Sequence, residues 1–138
     1  MKVEGISIGP SDALTPVESV SAVVGCGLKG DRHFRADGHK RAGAAMTLIE
    51  AEVLEDAGLT GPQSRRQVVV RGVRLNDLVG KRFTVGDVEC LGVELCEPCL
   101  HLQSLTRPGI IDELAHRAGL NADIITSGTI AVGDEIRL

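Results

Sequence analysis

Short runs of β-branched and other apolar residues, separated by glycine-containing turns, constrain the fold of this 138-residue chain more than any other feature. Apolar and polar residues roughly alternate within these runs, which predicts strands that are buried on one face. The predicted strands span 17–24, 46–50, 67–71, 83–88, 89–95, 124–126 and 135–138.

Helical patterns are fewer than strand patterns. Residues 50–57 are good helix formers and end at Gly58, and residues 110–118 place apolar side chains on one face before Gly119. Because strands outnumber helices, the sequence predicts a mostly β fold, a small antiparallel β-barrel with a few short helices. The length suits one hydrophobic core, so residues 1–138 are predicted to form a single domain.

The composition argues against several classes of partner. Phe34 and Phe83 are the only aromatic residues, so no stacking platform for single-stranded nucleic acid can be built. A net charge of −4 gives no overall attraction to DNA or to anionic lipid. No apolar run approaches the ~20 residues of a membrane-spanning helix, and the first residues lack the apolar stretch of a signal peptide. We therefore expect a cytoplasmic protein that binds neither nucleic acid nor membrane, with its four cysteines reduced.

The segment 25–30 matches the glycine pattern G-x-G-x-x-G of dinucleotide-binding proteins, and Glu50 follows at about the expected spacing. That motif requires a helix at its third glycine, whereas residues 31–41 have almost no apolar face. The sequence therefore predicts a loop and no nucleotide site. Two interpretations of this loop stay open, a solvated surface loop and an anion-binding loop. Its basic residues are Lys29, Arg32, His33, Arg35, His39, Lys40 and Arg41.

The Cys96-Glu97-Pro98-Cys99 segment has the C-x-x-C spacing at which two thiols can share a metal or react with each other. A structural zinc site usually pairs two such segments, so here histidines or Cys26 would have to supply the remaining ligands. A redox pair is typical of a helix start in a βαβ context, which the sequence lacks. The third chemistry is a single nucleophilic or sulfur-carrying thiolate. Pro98 favours a helix start that would place Cys99 near amide donors.

The four cysteines differ in their sequence surroundings. Cys90 lies within a strand pattern and Cys26 in a turn, so both are predicted to be small structural residues. The proline and glutamate between Cys96 and Cys99 make that segment unsuited to a buried strand. We therefore predict that Cys99 is the functional thiol and that Cys96 assists it.

Five segments form an ordered pattern along the chain: 27–33, 65–70, 75–86, 97–99 with Leu102, and 128–134. Together they resemble the MOSC domain, a family named for the C-terminal domain of molybdenum cofactor sulfurases. Each motif is weak alone, but the ordered set covers nearly the whole chain. The resemblance implies a β-barrel of the MOSC type, similar to the β-barrel of pyruvate kinase, with helices at its rim.

The resemblance also implies transient binding of the molybdenum cofactor, a phosphorylated pterin dithiolene. Cys99 is implied to carry a persulfide and to act as the soft metal ligand, delivering sulfur to a molybdenum centre or a metal–sulfur cluster. Cys96 is the second catalytic candidate. Charged and forked donors suit the cofactor phosphate or pterin, with Asp31 orienting its neighbours. The cofactor-binding candidates are Asp31, Arg32, His33, Arg66, Arg71 and Asn76.

The sequence departs from the family at several points. The family commonly has Asn where this chain has Gln67, and no pyridoxal-phosphate site is expected. Sulfur would then come from a cysteine desulfurase or another sulfur-donor protein, with a molybdoenzyme as acceptor, and a homodimer is an assembly left open. Two alternatives also remain, a zinc-stabilised binding module and a cofactor-binding subunit of a molybdoenzyme that reduces N-hydroxylated compounds. Whether the chain is itself an enzyme is left open.

Overall fold

The computed structural model describes residues 1–39 and 41–138, so Lys40 of the predicted cationic loop lies outside the described residues. Eleven strands alternate with four short helices and one 3₁₀ turn in this part of the chain. The strands are β1 (Lys2–Ile8), β2 (Thr15–Val17), β3 (Ser19–Val23), β4 (Gly27–Leu28), β5 (Met46–Glu50), β6 (Val68–Arg71), β7 (Arg82–Val85), β8 (Val88–Leu95), β9 (Leu120–Ile124), β10 (Gly128–Ala131) and β11 (Ile136–Arg137). The helices are α1 (Ala51–Ala57), α2 (Gly61–Ser64), α3 (Leu100–Leu105) and α4 (Ile110–Leu114), and the 3₁₀ turn is Leu75–Leu78.

Eight strands form one curled sheet in the order β11-β7-β8-β9-β5-β6-β1-β2, and β10-β3-β4 form a second sheet. The two ends of the larger sheet meet. Val3 donates its amide to the Asp134 carbonyl at 2.8 Å, and Ile136 donates to the Met1 carbonyl at 2.9 Å. These bonds occupy backbone groups that an open sheet would leave at its edge. The predicted mostly β, barrel-like class is confirmed, with one parallel pair, β5 with β6, joined through α1 and α2.

The main core fills the space inside the curled sheet. Alternate residues of β8 point inward, and Val88 and Cys90 are fully buried there. Burial raises the pKa of the Cys90 thiol to about 12, so this side chain behaves as a small apolar group, as the sequence predicted. The core is almost entirely aliphatic, with Phe83 as its one aromatic member in the described chain.

A second, smaller cluster joins the helices at the rim. Val53 of α1, Leu102 of α3, and Ile110 and Leu114 of α4 pack together there. Leu102 is 1% exposed, so its burial stabilises α3 against the rest of the domain. This packing matters for function because α3 directly follows the C-x-x-C segment.

Two predicted elements are placed differently in the structure. Residues 125–126 form a bend, and the strand predicted at 124–126 is instead β9, which ends at Ile124. The helix predicted at 110–118 ends at Leu114, because His116 adopts a positive φ of 63°. Lys2–Ile8 and Gly128–Ala131 are strands that the sequence analysis did not identify.

The loop after the glycine pattern contains no helix in its described residues, which agrees with rejection of the nucleotide-binding motif. Gly27 instead begins β4 and pairs with β3. None of the helices within 1–39 and 41–138 is long and apolar enough to cross a membrane.

Candidate functional site

The C-x-x-C segment connects the end of β8 to the start of α3. Leu95 is the last residue of the strand and Leu100 is the first residue of the helix. Cys99 is the N-cap of α3, with extended backbone angles of φ −129° and ψ 171°. Cys99 therefore stands at the helix start, whereas Cys96 lies three residues before it.

Cys99 is exposed, and its sulfur faces the helix amides. The Leu102 amide donates a hydrogen bond to the Cys99 Sγ at 3.5 Å. A thiolate, and not a thiol, is the nucleophile and metal ligand, and an N–H donor of this kind suits an anionic sulfur. Leu102 is itself fixed by burial, so the donor is held in place by the helix packing. The structure thus presents one accessible thiol with a fixed donor.

Cys96 has a different environment. It is only partly exposed, and burial raises the pKa of its thiol, while the nearby Arg66 charge acts in the opposite direction. Burial therefore favours the neutral thiol of Cys96. The position of Cys96 does not by itself define the assisting role that the sequence suggested.

Arg66 lies beneath this segment and is 7% exposed. Its Nη2 donates to the carbonyl oxygens of Cys96 at 3.2 Å and Glu97 at 3.3 Å. Its Nε donates to the Ala118 carbonyl at 2.8 Å. The guanidinium that was predicted to clamp a cofactor phosphate is thus engaged with the main chain on several sides.

Asp31 is a buried acceptor that organises the loop after β4. One of its oxygens accepts from the Gly9 amide at 3.1 Å, and the other accepts from the His33 amide at 3.1 Å and from Gln67 Nε2 at 2.8 Å. Gln67 also accepts from the Thr47 amide at 2.9 Å. Gln67, the position that departs from the family pattern, therefore ties the loop to β5.

Arg32 is partly buried, whereas His33 is exposed, with its imidazole partly desolvated. Arg32 Nη1 lies 3.7 Å from Asp31 Oδ1. Burial and the neighbouring Arg65 charge lower the pKa of Arg32. Burial and the Arg32 charge lower the pKa of His33. The Arg32 and Arg65 charges are therefore close enough to disfavour each other and the protonation of His33, an arrangement that an anionic ligand would relieve.

Asp12 is an exposed carboxylate that interacts with Arg65, His101 and Arg32. It accepts from Arg65 Nη2 at 3.2 Å, and it lies 3.5 Å from His101 Nε2 on α3. The pKa of Asp12 is lowered by its His101 contact, and Arg32 and Asp12 also attract each other. We call Arg32, His33, Arg65 and His101 the basic cluster. His101 is two residues beyond Cys99, so the basic cluster reaches the helix that the thiol caps.

A small cavity opens beside the basic cluster. Its volume is about 260 Å³, and its lining includes Asp12, Arg65 and Leu105 of α3. The sequence analysis considered His101 only as one of the histidines that could complete a zinc site, and it did not select Asp12 or Arg65, although Arg65 stood within a quoted motif. The pairing of Arg65 with Asp12 across 53 positions of sequence carries no local signal from which it could be inferred.

Arg71 and Asn76 do not join this arrangement. Arg71 Nε donates to Glu4 at 2.7 Å, and the same guanidinium also contacts Glu55. It stands at the opposite end of β6 from Arg66, roughly 16 Å along an extended chain. Asn76 donates to the His116 carbonyl at 2.8 Å. Its contact therefore supports the turn that neighbours the C-x-x-C segment.

The zinc alternative requires several ligands in one place. Among residues 1–39 and 41–138, no group of three or more His, Cys, Asp or Glu side chains is arranged to hold a metal ion. A four-ligand structural zinc site therefore finds no support in this part of the chain.

The fold and the site define a small β-barrel domain with an exposed thiol at its rim next to a basic cluster. The family model described as the MOSC domain matches residues 45–137, so the chain belongs to the MOSC domain family. This family is associated with the molybdenum cofactor. A search of curated proteins finds no match.

Solved structures agree with the fold. The YuaD protein from Bacillus subtilis has a TM-score of 0.80 at 19% identity, covering 98% of this chain and 93% of its own. YiiM from Geobacillus stearothermophilus has a TM-score of 0.76 at 16% identity, covering 99% of this chain and 74% of its own. YiiM from Escherichia coli has a TM-score of 0.72 at 16% identity, with 100% and 69% covered. At these identities the likeness concerns the fold alone.

Proposed function

We propose that this chain is a molybdenum-cofactor-binding sulfur carrier in which Cys99 holds a persulfide. The observation that carries the proposal is the exposed Cys99 sulfur, which accepts a hydrogen bond from the Leu102 amide of α3. The same helix supplies His101 to the basic cluster. A thiol that is accessible, provided with an amide donor and carried at the start of the helix that holds His101 suits an anionic sulfur species. The partners of this function are a sulfur-donor protein, such as a cysteine desulfurase, and a molybdoenzyme acceptor.

The residues present fit the anionic part of the cofactor. Arg32 and Arg65 are forked, permanently charged donors, which suit phosphate oxygens. Arg65 already holds an anionic oxygen, because its Nη2 donates to Asp12 Oδ1. Asp12 is exposed, so a ligand phosphate can replace it at modest cost. When bound, the molybdenum cofactor supplies a soft metal centre that accepts sulfur ligands.

The loading step is a thiol–persulfide exchange. The Cys99 thiolate attacks the terminal sulfur of a donor persulfide R–S–SH, so a new S–S bond forms at Cys99 as the donor S–S bond breaks. The products are the Cys99 persulfide and the donor thiolate R–S⁻, and no net oxidation occurs. Transfer onward to an acceptor thiolate reverses these roles. Release as sulfide would require two electrons from a reducing thiol.

Cyanolysis tests the carrier role. The protein is incubated with glutathione persulfide, freed of small molecules, and treated with cyanide, which removes sulfane sulfur as thiocyanate. We expect thiocyanate from the wild type and from Cys26→Ala, and none above background from Cys99→Ala. Cys26 is a matched control because it is also a free, partly exposed thiol. Equal release from wild type and Cys99→Ala would refute the carrier role.

Ultrafiltration with released cofactor tests binding at the basic cluster. Arg32→Ala is expected to weaken retention about tenfold, because a charged donor to an anion is lost. Arg71→Ala should leave retention unchanged, since Arg71 is engaged by Glu4 at the far end of β6. Equal losses in the two variants would show that retention reflects overall charge and not this cluster.

A further inference from the structure

Arg66 is an unusual buried cation. In the described chain its guanidinium forms no ion pair with a carboxylate, and its hydrogen bonds all go to main-chain carbonyls. These carbonyls belong to Ser64, Ala118, Cys96 and Glu97. A forked guanidinium can join several carbonyls in fixed directions, which a single point charge cannot do. Its contacts connect three segments that are distant in sequence.

The Cys96 peptide is held from both sides. Its amide donates to the Gly119 carbonyl at 2.8 Å, while its own carbonyl accepts from Arg66. Gly119 is itself packed closely against β5, since a Cβ there would lie 2.1 Å from the Leu48 carbonyl oxygen. The backbone before Pro98 therefore has little freedom to move.

Glu97 supplies a second anchor for the same segment. Its carboxylate accepts from the His116 amide at 2.7 Å and contacts His116 Nδ1 at 2.6 Å. This anchor is solvent-exposed, whereas the Arg66 anchor is buried. Since exposed ion pairs contribute little, the Arg66 contacts should dominate the position of the segment.

We infer that Arg66 is a positioning residue that sets the place of the Cys99 sulfur relative to the basic cluster, and that it does not contact the ligand. The reason why the Cys99 sulfur must be positioned, to carry sulfur beside the basic cluster, rests on the proposed function. The physical content of the inference is independent of that function. Loss of the forked contacts lets the 96–97 backbone move. Because Pro98 joins this backbone to Cys99, the Cys99 sulfur and its hydrogen bond from the Leu102 amide become more mobile too.

Arg66→Lys and Arg66→Met separate positioning from charge. Lysine keeps the positive charge but cannot reproduce the forked contacts, whereas methionine removes both. We expect hydrogen exchange of the Leu102 amide to rise about tenfold in both variants. Affinity for inorganic phosphate, the probe for the basic cluster, should stay unchanged in both. With glutathione persulfide as donor, the loading rate constant at saturating donor should fall in both variants, while the donor concentration that gives half of that rate is retained.

Two results would overturn the inference. One is phosphate affinity that is lost in Arg66→Met and kept in Arg66→Lys, which would make Arg66 a ligand-binding charge. The other is unchanged exchange at Leu102 in folded Arg66→Lys. If wild type takes up no cyanide-labile sulfur, the proposed carrier function fails, but the exchange and phosphate measurements still decide the role of Arg66.

Glu97→Gln provides a milder test in case the Arg66 variants unfold. It weakens the exposed anchor to His116 and leaves the buried contacts in place. We expect the same direction of change at Leu102, with a smaller increase in exchange than for Arg66→Lys. A larger increase in Glu97→Gln would assign the positioning role to Glu97 and refute it for Arg66.

Discussion

The two ends of β6 use arginine in opposite ways. Before the strand, Arg66 is buried and donates to main-chain carbonyls that belong to the thiol-bearing segment and its neighbours. At the end of the strand, Arg71 is partly exposed and is paired with Glu4 and Glu55, whose contacts raise its pKa. One arginine organises a site, and the other joins surface elements. The difference arises from what each end of the strand meets in three dimensions.

This comparison shows why residue type is a poor guide to role in this domain. Both arginines lie within or next to a motif of the family, and both were candidates for binding the cofactor phosphate. The donors of Arg66 are engaged by carbonyls and those of Arg71 by carboxylates. Arg32 and Arg65, which gather around an exposed carboxylate, are better placed to receive an anion.

Glycines near the two ends should differ most in their tolerance of a side chain. Gly119→Ala places a Cβ 2.1 Å from the Leu48 carbonyl oxygen at a φ of +123°, whereas Gly72→Ala meets nothing closer than 3.7 Å at a φ of +79°. We expect Gly119→Ala to lower the free energy of unfolding by about 4 kcal/mol, from clash and strain together. Gly72→Ala should cost about 1 kcal/mol, from backbone strain alone. Urea denaturation measures both, and equal losses would contradict the close packing assigned to the Arg66 end.

Removal of each arginine gives the next largest contrast. Arg66→Met leaves buried carbonyls without donors, and we expect a loss of about 3 kcal/mol in the free energy of unfolding. Arg71→Met breaks ion pairs at an exposed position, where water replaces the lost partners, so a much smaller loss is expected. Thermal and urea unfolding of the two variants provide the comparison. A loss for Arg71→Met that matches Arg66→Met would break the distinction drawn between the two ends.

The two ends should also respond to acid in different pH windows. Burial lowers the pKa of His33 from its usual 6.5, so the folded protein binds the proton less readily, and stability should fall as the pH drops below 6.5. His33→Gln should remove this loss. The Arg71 contact lowers the pKa of Glu4 from its usual 4.5, so that stabilisation is present above pH 4.5 and disappears as the pH falls towards the lowered value.

Urea unfolding at several pH values measures this smallest of the effects. Wild type should lose stability relative to His33→Gln as the pH falls from 6.5 towards the lowered pKa of His33. The difference between wild type and Arg71→Ala should stay constant through that range and narrow only below pH 4.5. If the stability difference between wild type and Arg71→Ala changed above pH 4.5, the Glu4 contact would not be the source of that difference.

Local sequence predicted much of the fold. The strand at 46–50 and the helix that ends at Gly58 were correctly placed, because alternation and a left-handed glycine stop are local signals. The 110–118 helix was too long, since its early end depends on His116, which pairs with the distant Glu97. The first strand was missed, although its pairing with β6 and its contact with residue 134 help to close the sheet.

The site was predicted in part. Proline and glutamate beside Cys99 indicated that the thiol is not in a strand interior, and the structure places it, exposed, at a helix N-cap. Its functional role stays a prediction. The assignment of Arg66 and Arg71 to phosphate was made from residue type and motif. It could not anticipate that carbonyls engage one guanidinium and carboxylates the other.

By itself, the sequence determined the structural elements, aliphatic strands and glycine turns. It also determined which residues can do chemistry: one C-x-x-C segment and a loop rich in cations. These properties follow from side-chain chemistry and local backbone preference. Only the tertiary structure decided which arginine faces a carboxylate, which faces the main chain and which cations gather near Asp12. Such choices depend on contacts between segments far apart in sequence, and burial changes what each charge can bind.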